Sequence, residues 1–311
     1  MRDAGSFDFG INPDGDDPIV YFTRTDGESV RLTPTATLGA GGYGRVVRYN
    51  SDEAGAPDYA MKIEQGDVAD SEHGVIQALS DTRCGQIGAR VVGTLRPPGG
   101  DQHYSLLEEM TSEVFPELVP IYRAAKGLGS NALAAAHIVE EVRKQVVCLL
   151  NSRADHRYVY TDMKMANVMF RRDPGTGDVT IKVGDLGSMT PDEDGDYVLS
   201  IPCLPDGGAW QSFATLADKQ QCLAFQLGML LAALLGLNIA QFWHSRTRPG
   251  QSTVPFQALL RAALRANGAG SSLDELVGLI DDDPNARPSV LAPLVGGGPA
   301  ARGRGRGRRR R

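Results

Sequence analysis

Three polar side chains lie close together in the segment YVYTDMKMANVMF, residues 158–170, between two apolar runs. They are Asp162, Lys164 and Asn167. In one interpretation they form an ordinary polar turn that joins two buried stretches. In the other, the acid accepts a proton, the lysine neutralises phosphate charge and the amide holds a metal ion, as phosphoryl transfer requires. The rest of the chain decides between the two interpretations.

A glycine-rich stretch, LGAGGYGRVV at residues 38–47, places Gly39, Gly41 and Gly44 in a G-x-G-x-x-G pattern before Val46. Glycines let the backbone approach a phosphate closely and direct amide groups at it. The pattern alone is weak, because the chain contains 37 glycines. Strand-like runs on both sides predict a β-hairpin rather than a strand that leads into a helix. That context disfavours a dinucleotide fold and favours a flap over a nucleotide.

Three charged residues elsewhere have two interpretations each. Lys62 lies in the apolar strand pattern YAMKIE and either reaches water at a sheet edge or faces an anion. Glu72 opens the helical pattern EHGVIQAL, where it is either a first-turn acid favoured by the helix dipole or the partner of Lys62. Asp185 follows the strand pattern VTIKV and is either a turn residue or a Mg²⁺ ligand beside a triphosphate.

The elements that would position these residues change character along the chain. Residues 18–63 alternate β-type runs with turns, a short helical pattern follows at 70–80, and two more strands lead to about residue 108. An amphipathic helix at 131–152 opens a mainly helical remainder. The sequence predicts an α+β protein in four parts: an N-terminal extension (1–17), a β lobe (18–108), a helical lobe (109–295) and a tail (296–311).

Charge is unevenly distributed between the body and the tail. The chain carries a formal charge of −6, and subtracting the seven arginines at 302, 304, 306 and 308–311 leaves −13 on residues 1–301. An acidic body with a Gly- and Arg-rich end predicts a folded unit with a disordered arm. The arm would contact nucleic acid, acidic proteins or a nuclear import receptor, or it is a solvated end without a specific partner.

One stretch is long enough to resemble a membrane span. Residues 222–243 contain no charged side chain. Gln226, Asn238 and Gln241 interrupt it, and no basic flank marks one side only. A helix that is apolar all round also suits the centre of a helical lobe. We therefore expect a buried helix and no membrane partner.

Composition and cysteine usage indicate a soluble intracellular protein. Hydrophobic residues make up 41% of the chain and charged residues 23%, as in globular proteins. The acidic N-terminus has no signal-peptide pattern. The four cysteines show neither CxxC spacing nor a disulfide framework, which indicates a reducing compartment and no zinc site.

Taken in chain order, the glycine-rich stretch, strand lysine, helix glutamate, D-x-K-x-x-N segment and D-L-G segment resemble the eukaryotic-type protein kinase superfamily. The resemblance covers about residues 36–295. The segment DPNARPS around Arg287 is also similar to the family's D-P-x-x-R-P-S segment. The resemblance implies a bilobal kinase-like fold, with a small antiparallel β lobe carrying one helix and a larger mainly helical lobe. It also implies Mg²⁺-dependent transfer of the ATP γ-phosphate to protein substrates.

The resemblance further implies which residues contact ATP. Lys62 would bind the α- and β-phosphates and pair with Glu72, Leu107 would lie behind the adenine, and the backbone from Glu108 to Met110 would form the hinge. The full set of implied ATP contacts is Leu38, Gly39, Gly41, Gly44, Val46, Lys62, Glu72, Leu107, Glu108 and Met110.

It likewise implies the catalytic and metal-binding residues. Asp162 would accept the proton of the substrate hydroxyl, and Lys164 would steady the γ-phosphate, with Lys62 as the third catalytic residue. Asn167 and Asp185 would bind Mg²⁺. Lysine two positions after Asp162 is the arrangement associated with transfer to Ser and Thr.

Several positions depart from the family pattern. Tyr160-Thr161-Asp162 stands in place of H-R-D, so the arginine that binds a phosphorylated activation loop is missing. We therefore expect activity that is not switched on by such phosphorylation. Leu186 replaces the phenylalanine of D-F-G and keeps an apolar plug.

The helical lobe carries two uncertain assignments. Asp206 in LPD is the candidate carboxylate for Arg287. Asp218 follows Asp206 at a family-like interval, but Gly228 comes about five residues too late after it. Either Asp218 is not the structural aspartate of that helix or the helix begins differently.

Two other functions compete with an active Ser/Thr protein kinase. One is a pseudokinase, a nucleotide-binding or scaffolding module that acts through partners. The other is a kinase-like enzyme acting on a small molecule, which the DPNARPS segment disfavours. The divergences and compact size are similar in style to protein kinases of large DNA viruses. The expected location is the cytoplasm or nucleus, including that of a virus-infected host cell.

Overall fold

In a computed structural model of the protein, the first part of the chain forms an antiparallel sheet and the remainder is mainly helical. The α+β class predicted from the sequence is therefore confirmed. The residues whose structure is described are 6–10, 17–23, 27–41, 44–53, 58–65, 91–95, 102–108, 110, 115–150, 158–160, 162–173, 175–186, 189–191, 215–239 and 252–295.

Within the described residues, the sheet has seven strands that pair antiparallel throughout. They are β1 (Ser6–Gly10), β2 (Ile19–Thr23), β3 (Ser29–Gly41), β4 (Gly44–Ser51), β5 (Tyr59–Gln65), β6 (Val91–Leu95) and β7 (Gln102–Glu108). Their spatial order is β1-β2-β3-β4-β5-β7-β6, and the edge strands β1 and β6 approach each other, so the sheet is curled. Strand β1 lies within residues 1–17, which the sequence predicts to be an N-terminal extension.

Alternation along the strands separates two faces of the sheet. Successive side chains in a strand point to opposite faces. In β5, Met61 and Ile63 lie in an apolar cluster, and Lys62 and Glu64 are on the opposite face. The buried cluster comprises Val20, Phe22, Val30, Leu32, Val47, Tyr49, Tyr59, Met61, Ile63, Val92 and Leu106.

The second part of the chain packs around a separate apolar cluster. Its helices are α1 (Phe115–Lys126), α2 (Asn131–Leu150), α3 (Leu216–Leu234), α4 (Val254–Ala266) and the 3-10 helices Met165–Asn167, Ser271–Ile280 and Pro284–Ala286. Two small antiparallel pairs join β8 (Tyr158–Tyr160) to β11 (Met189–Pro191) and β9 (Val168–Arg172) to β10 (Val179–Val183). Two apolar clusters without a shared residue are compatible with two lobes. The predicted helix at 70–80 lies outside the described residues.

Helix α3 forms the apolar centre of the helical part. The sequence predicts a buried helix over 222–243, but α3 ends at Leu234, with Leu235 as its C-cap. Its buried side chains lie on all sides, from Cys222 to Leu234. It begins at Leu216, and Asp218 forms a capping box with Thr215: the Asp218 N–H donates to Thr215 Oγ1 at 3.2 Å, and the Thr215 N–H donates to Asp218 Oδ2 at 3.0 Å. Asp218 thus caps the helix. Among the described helices, none combines the length and apolar character needed to cross a membrane.

Gly228 lets α3 approach the 3-10 helix Ser271–Ile280 closely. A Cβ at this position would lie 2.6 Å from Ile280 Cγ2 and 2.8 Å from Leu279 Cβ. Real Cβ atoms do not come this close, so any larger residue would push the two helices apart. The glycine that looked misplaced in the sequence is therefore a packing residue.

Arg287 is buried against α3, but its described partners differ from the predicted one. Its Nε donates to the Asp281 carbonyl at 2.9 Å, and Nη1 donates to the Gln221 carbonyl at 3.0 Å. The guanidinium also lies 4.7 Å from the centre of the Phe225 ring. These contacts tie the DPNARPS segment to α3. The predicted carboxylate partner, Asp206, lies outside the described residues.

A buried ion pair holds the last described residues against α2. Arg143 binds Glu140 through two hydrogen bonds of 2.7 Å each, Nε to Oε2 and Nη2 to Oε1. Arg143 Nη1 donates to the Val290 carbonyl at 2.7 Å, and the Leu294 N–H donates to Glu140 Oε2 at 3.0 Å. Burial by itself raises the pKa of Glu140, but the hydrogen bonds from Arg143 and Leu294 outweigh it and hold the pKa below its usual value.

Two cysteines differ from the expectation of reduced thiols. Cys148 on α2 and Cys222 on α3 are disulfide-bonded. The cysteine spacing did not indicate this bonding, because spacing along the chain does not report which sulfurs the fold brings together. Cys84 and Cys203 lie outside the described residues.

Candidate active site

Three of the predicted nucleotide residues, Val46, Lys62 and Leu107, share one face of the sheet. Lys62 lies opposite Val46 of β4 and Ser105 of β7, and two residues earlier Ala60 lies opposite Leu107. This face therefore carries apolar side chains at Ala60 and Leu107 and, two residues further along β5, the ammonium group of Lys62. Such a surface suits a nucleotide, whose base needs apolar contacts and whose phosphates need a cation.

The glycine-rich stretch forms the predicted β-hairpin at the charged end of this face. Gly39 pairs with Val46, and Gly41 pairs with Gly44. Gly44 in turn lies opposite Glu64 of β5. Residues 42 and 43, at the tip between the strands, lie outside the described residues.

The third glycine of the pattern is required by packing. A Cβ on Gly44 would overlap the carbonyl oxygen of Ile63 and lie 3.1 Å from Glu64 Cγ. A Cβ on Gly39 would meet nothing within 4 Å. Gly44 therefore lets β4 lie close against β5, whereas Gly39 leaves open space above the sheet.

We expect Gly44→Ala to lower the free energy of unfolding by about 1–3 kcal/mol, the usual cost of overpacking. Gly39→Ala should stay within about 0.5 kcal/mol, as for a surface change without a clash. Urea unfolding followed by circular dichroism measures both. Equal losses in the two variants would contradict the packing role of Gly44.

Lys62 is paired with a carboxylate that the sequence did not single out. Its Nζ lies 2.7 Å from Glu64 Oε1, and the two side chains are 18% and 8% exposed. The expected partner, Glu72, lies outside the described residues. The period-2 rule for strands offered a signal for Glu64, because residues two apart in a strand share a face.

The D-x-K-x-x-N segment is folded so that its three polar side chains meet. Lys164 Nζ lies 2.7 Å from Asp162 Oδ2. Asn167 Nδ2 donates to the Asp162 carbonyl at 2.9 Å and to Asp162 Oδ2 at 3.1 Å. Asp162 is 3% exposed, so its carboxylate is held by these neighbours rather than by bulk water.

The D-L-G segment is attached to this loop by the backbone. The Gly184 N–H donates to the Asn167 carbonyl at 2.6 Å, at the end of the β9–β10 pair. Asp185 follows with an exposed side chain and a φ of 54°. A non-glycine residue in this region is uncommon and is frequently found at functional sites. The structure thus places Asp185 one residue from the hydrogen bond to Asn167.

Tyr160 fills the position of the family's histidine and contacts the D-L-G segment directly. Its hydroxyl donates to the Gly184 carbonyl at 2.8 Å, and its side chain is fully buried. Its backbone pairs with Met189 in the β8–β11 pair. The phenol group of Tyr160 therefore joins β8 to the D-L-G segment.

We expect Tyr160→Phe to destabilise the chain by about 1–2 kcal/mol, because a buried carbonyl loses its donor. Tyr104→Phe is the matched control: its hydroxyl donates to Gln102 Oε1 at 2.7 Å in an exposed position. The control should lose less than about 0.5 kcal/mol. Denaturant unfolding compares the two variants. A Tyr160→Phe variant as stable as the parent would show that the hydrogen bond does not contribute to the free energy of unfolding.

The donor atoms fit a magnesium ion shared with phosphates. Because Asn167 Nδ2 is bound to Asp162, its Oδ1 is the atom left for a ligand, and Asp185 offers an exposed carboxylate. Mg²⁺ binds through one or two protein oxygens together with substrate phosphates. Over the described ranges no three His, Cys, Asp or Glu residues could hold a metal ion by themselves.

The predicted hinge residues lie where the sheet meets the second part of the chain. Glu108 Oε2 lies 3.1 Å from Arg171 Nη1, which joins the end of β7 to β9. Lys182 of β10 lies nearby: burial lowers its pKa, and the Glu108 charge opposes this shift. Met110 is buried. The predicted active-site residues thus form two groups, around Lys62 and around Asp162, with Glu108 and Arg171 linking the sheet to the second part.

Comparison with known proteins adds no relative. No protein-family model matches the chain, and no curated protein sequence matches it. The resemblance to protein kinases therefore stays a prediction from the sequence.

Proposed function

We propose that the protein is a Mg²⁺-dependent Ser/Thr protein kinase. The observation that carries the proposal is the joined Asp162–Lys164–Asn167 loop with the Gly184–Asn167 hydrogen bond beside Asp185. An ordinary polar turn does not require a buried aspartate that is bound to both a lysine and an amide. It also does not require a hydrogen bond to a second segment that carries an aspartate, here Asp185. Phosphoryl transfer needs each of these groups.

The sheet face supports ATP as the phosphate donor. Ala60, Val46 and Leu107 would contact the adenine, and Lys62 would meet the phosphates near the glycine hairpin. Leu38 is partly buried at the start of that hairpin and would also contact the base. Hinge hydrogen bonds would come from the backbone between Glu108 and Met110.

The proposed reaction is an in-line displacement at the γ-phosphorus. The substrate Ser or Thr oxygen forms a bond to phosphorus, the bond to the β,γ-bridging oxygen breaks, and ADP leaves with that oxygen. Asp162 accepts the hydroxyl proton, and Lys164 offsets the negative charge on the phosphoryl oxygens. A magnesium ion held by Asn167 and Asp185 would neutralise phosphate charge.

The remaining features of the proposal concern partners and regulation. The missing arginine before Asp162 argues for activity without activation-loop phosphorylation. The Arg-rich tail, 302–311, is proposed to bind nucleic acid or acidic proteins in the cytoplasm or nucleus. Deleting 302–311 without any change in location or nucleic-acid binding would overturn the tail's role.

The test is transfer of labelled phosphate from ATP with Mg²⁺, to the protein itself and to a generic basic protein. The parent chain and the Asp162→Asn variant are purified identically. Transfer by the parent that is lost in the variant supports the proposal, and phosphosite mapping then tests the Ser/Thr assignment. Equal transfer by both indicates a contaminant. If the protein binds nucleotide but transfers no phosphate, the proposal of a kinase is replaced by that of a pseudokinase that acts through partners.

A further inference from the structure

We propose that Glu64 is the positioning residue for Lys62: its carboxylate holds the Lys62 ammonium on the sheet face where nucleotide phosphates would bind. The inference rests on the proposed function, because it assigns a role within that nucleotide site. It concerns a residue to which the resemblance assigns no role.

The geometry of the pair is the first support. Lys62 and Glu64 are two residues apart in β5, so both side chains lie on one face, and Nζ and Oε1 are 2.7 Å apart. Both side chains are largely shielded from water. A shielded pair attracts more strongly than an exposed one, because less solvent screens it. The ammonium is therefore held along the strand direction, toward the glycine hairpin.

The second support is that Glu64 is itself fixed in place. On one side Gly44 packs on the Glu64 backbone and Cγ, where a Cβ would leave no room. On the other side Glu64 lies opposite His103, which is also buried. A carboxylate confined between two strands has few rotamers, so it loses little entropy in holding a cation.

The third support is the donor count of an ammonium group. Lysine carries three N–H donors. It can therefore bind Glu64 and phosphate oxygens at the same time, and the carboxylate limits the directions from which phosphate binds. Removing the carboxylate should weaken binding of the triphosphate and leave contacts to the base unchanged.

The experiment compares binding of ATP and of adenosine to the full chain by calorimetry. For Glu64→Gln we expect ATP affinity to fall about 10-fold or more. Lys62 would no longer be held in position, so its hydrogen bond to the phosphates would be lost, and a hydrogen bond to a charged group is worth about this much. Adenosine affinity should stay within about twofold of the parent, since the apolar contacts remain. Glu64→Asp should recover part of the ATP affinity. Glu117→Gln, an exposed change on α1, is the control and should alter neither ligand.

Three results would overturn the inference. Parallel losses for ATP and adenosine in Glu64→Gln would indicate a structural role only. Unchanged ATP affinity in both Glu64 variants would show that the pair does not matter. A selective ATP loss in Glu72→Gln but not in Glu64→Gln would assign the role to the helix residue. If Glu64→Gln does not fold, the ratio of ATP to adenosine affinity in Glu64→Asp decides.

Failure of the proposed function gives a different pattern. ATP binding without phosphate transfer would overturn the kinase activity, and the Glu64 variants would still decide the positioning role. A chain that binds neither ATP nor adenosine would overturn both.

Discussion

Asp162→Asn should lower the rate of phosphate transfer by about 10²–10⁴-fold, the usual contribution of a general base. ATP affinity should change little, because the variant keeps the shape of the side chain and Asp162 is not an expected ATP contact. The structural reason lies in the loop, where Asp162 Oδ2 receives both Lys164 Nζ at 2.7 Å and Asn167 Nδ2 at 3.1 Å. The amide of asparagine is too weak a base to accept the proton of the substrate hydroxyl.

The measurement is the initial rate of transfer at saturating ATP, together with the ATP dissociation constant. Asp178→Asn is the control: it removes a carboxylate at the exposed end of the β9–β10 hairpin, where Asp178 pairs with Lys126. Its rate should match the parent. Loss of ATP binding equal to the loss of rate in Asp162→Asn would assign Asp162 to nucleotide binding and contradict its role as base.

Arg143→Met should lower the free energy of unfolding by about 3–5 kcal/mol, because it leaves the Glu140 charge buried without its cation. It also removes the hydrogen bond from Nη1 to the Val290 carbonyl. The last described segment would then lose much of its attachment to α2. Denaturant unfolding at neutral pH measures the effect.

The same helix provides a matched control. Lys144 and Glu141 form an exposed pair at the same i,i+3 spacing, with Nζ and Oε1 2.9 Å apart. Lys144→Met should cost at most about 1 kcal/mol, as exposed pairs do. A double variant, Glu140→Leu with Arg143→Met, should be more stable than Arg143→Met alone, because no buried charge is left unpaired. A double variant less stable than the single one would contradict this explanation.

The Glu140 carboxyl also predicts a pH dependence with a definite sign. Its pKa is held low in the folded chain, so its charge stabilises the fold above the pKa of an unfolded glutamate. That contribution is lost as pH falls below about 4.3, where the unfolded group binds a proton first. The stability difference between the parent and Glu140→Gln should therefore be largest near neutral pH and shrink toward pH 3. A difference that stays constant over this range would contradict the assignment.

The contact between Asp162 and Asn167 was predictable because their local spacing already limits it. Asp162 and Asn167 are five positions apart, and the tight turn of the 3-10 helix Met165–Asn167 brings them together. The hairpin of the glycine stretch was predictable for the same reason, since β-type runs flank it. The activity itself stays a prediction, because spacing does not show that a reaction takes place.

Other features depended on contacts between distant segments. The hydrogen bond from Tyr160 to Gly184 joins residues 24 positions apart. The presence of tyrosine at this position in the sequence does not indicate which group its hydroxyl binds. Gly228 looked misplaced by its interval, yet its reason is the close approach of Leu279 and Ile280. The disulfide bonding of Cys148 and Cys222 was likewise not visible in their spacing.

The sequence by itself determined the α+β class, the buried helix α3 and the residues that phosphoryl transfer would use, because these depend on periodicity and short spacing. The tertiary structure alone decided which carboxylate Lys62 meets among the described residues, because Glu64 acts only once β4 packs against β5 at Gly44. It also decided how the last described residues are attached, because Arg143 meets Val290 across 147 residues. Local patterns follow from the backbone's own periodicity, whereas these pairings require the folded packing of segments far apart in the chain.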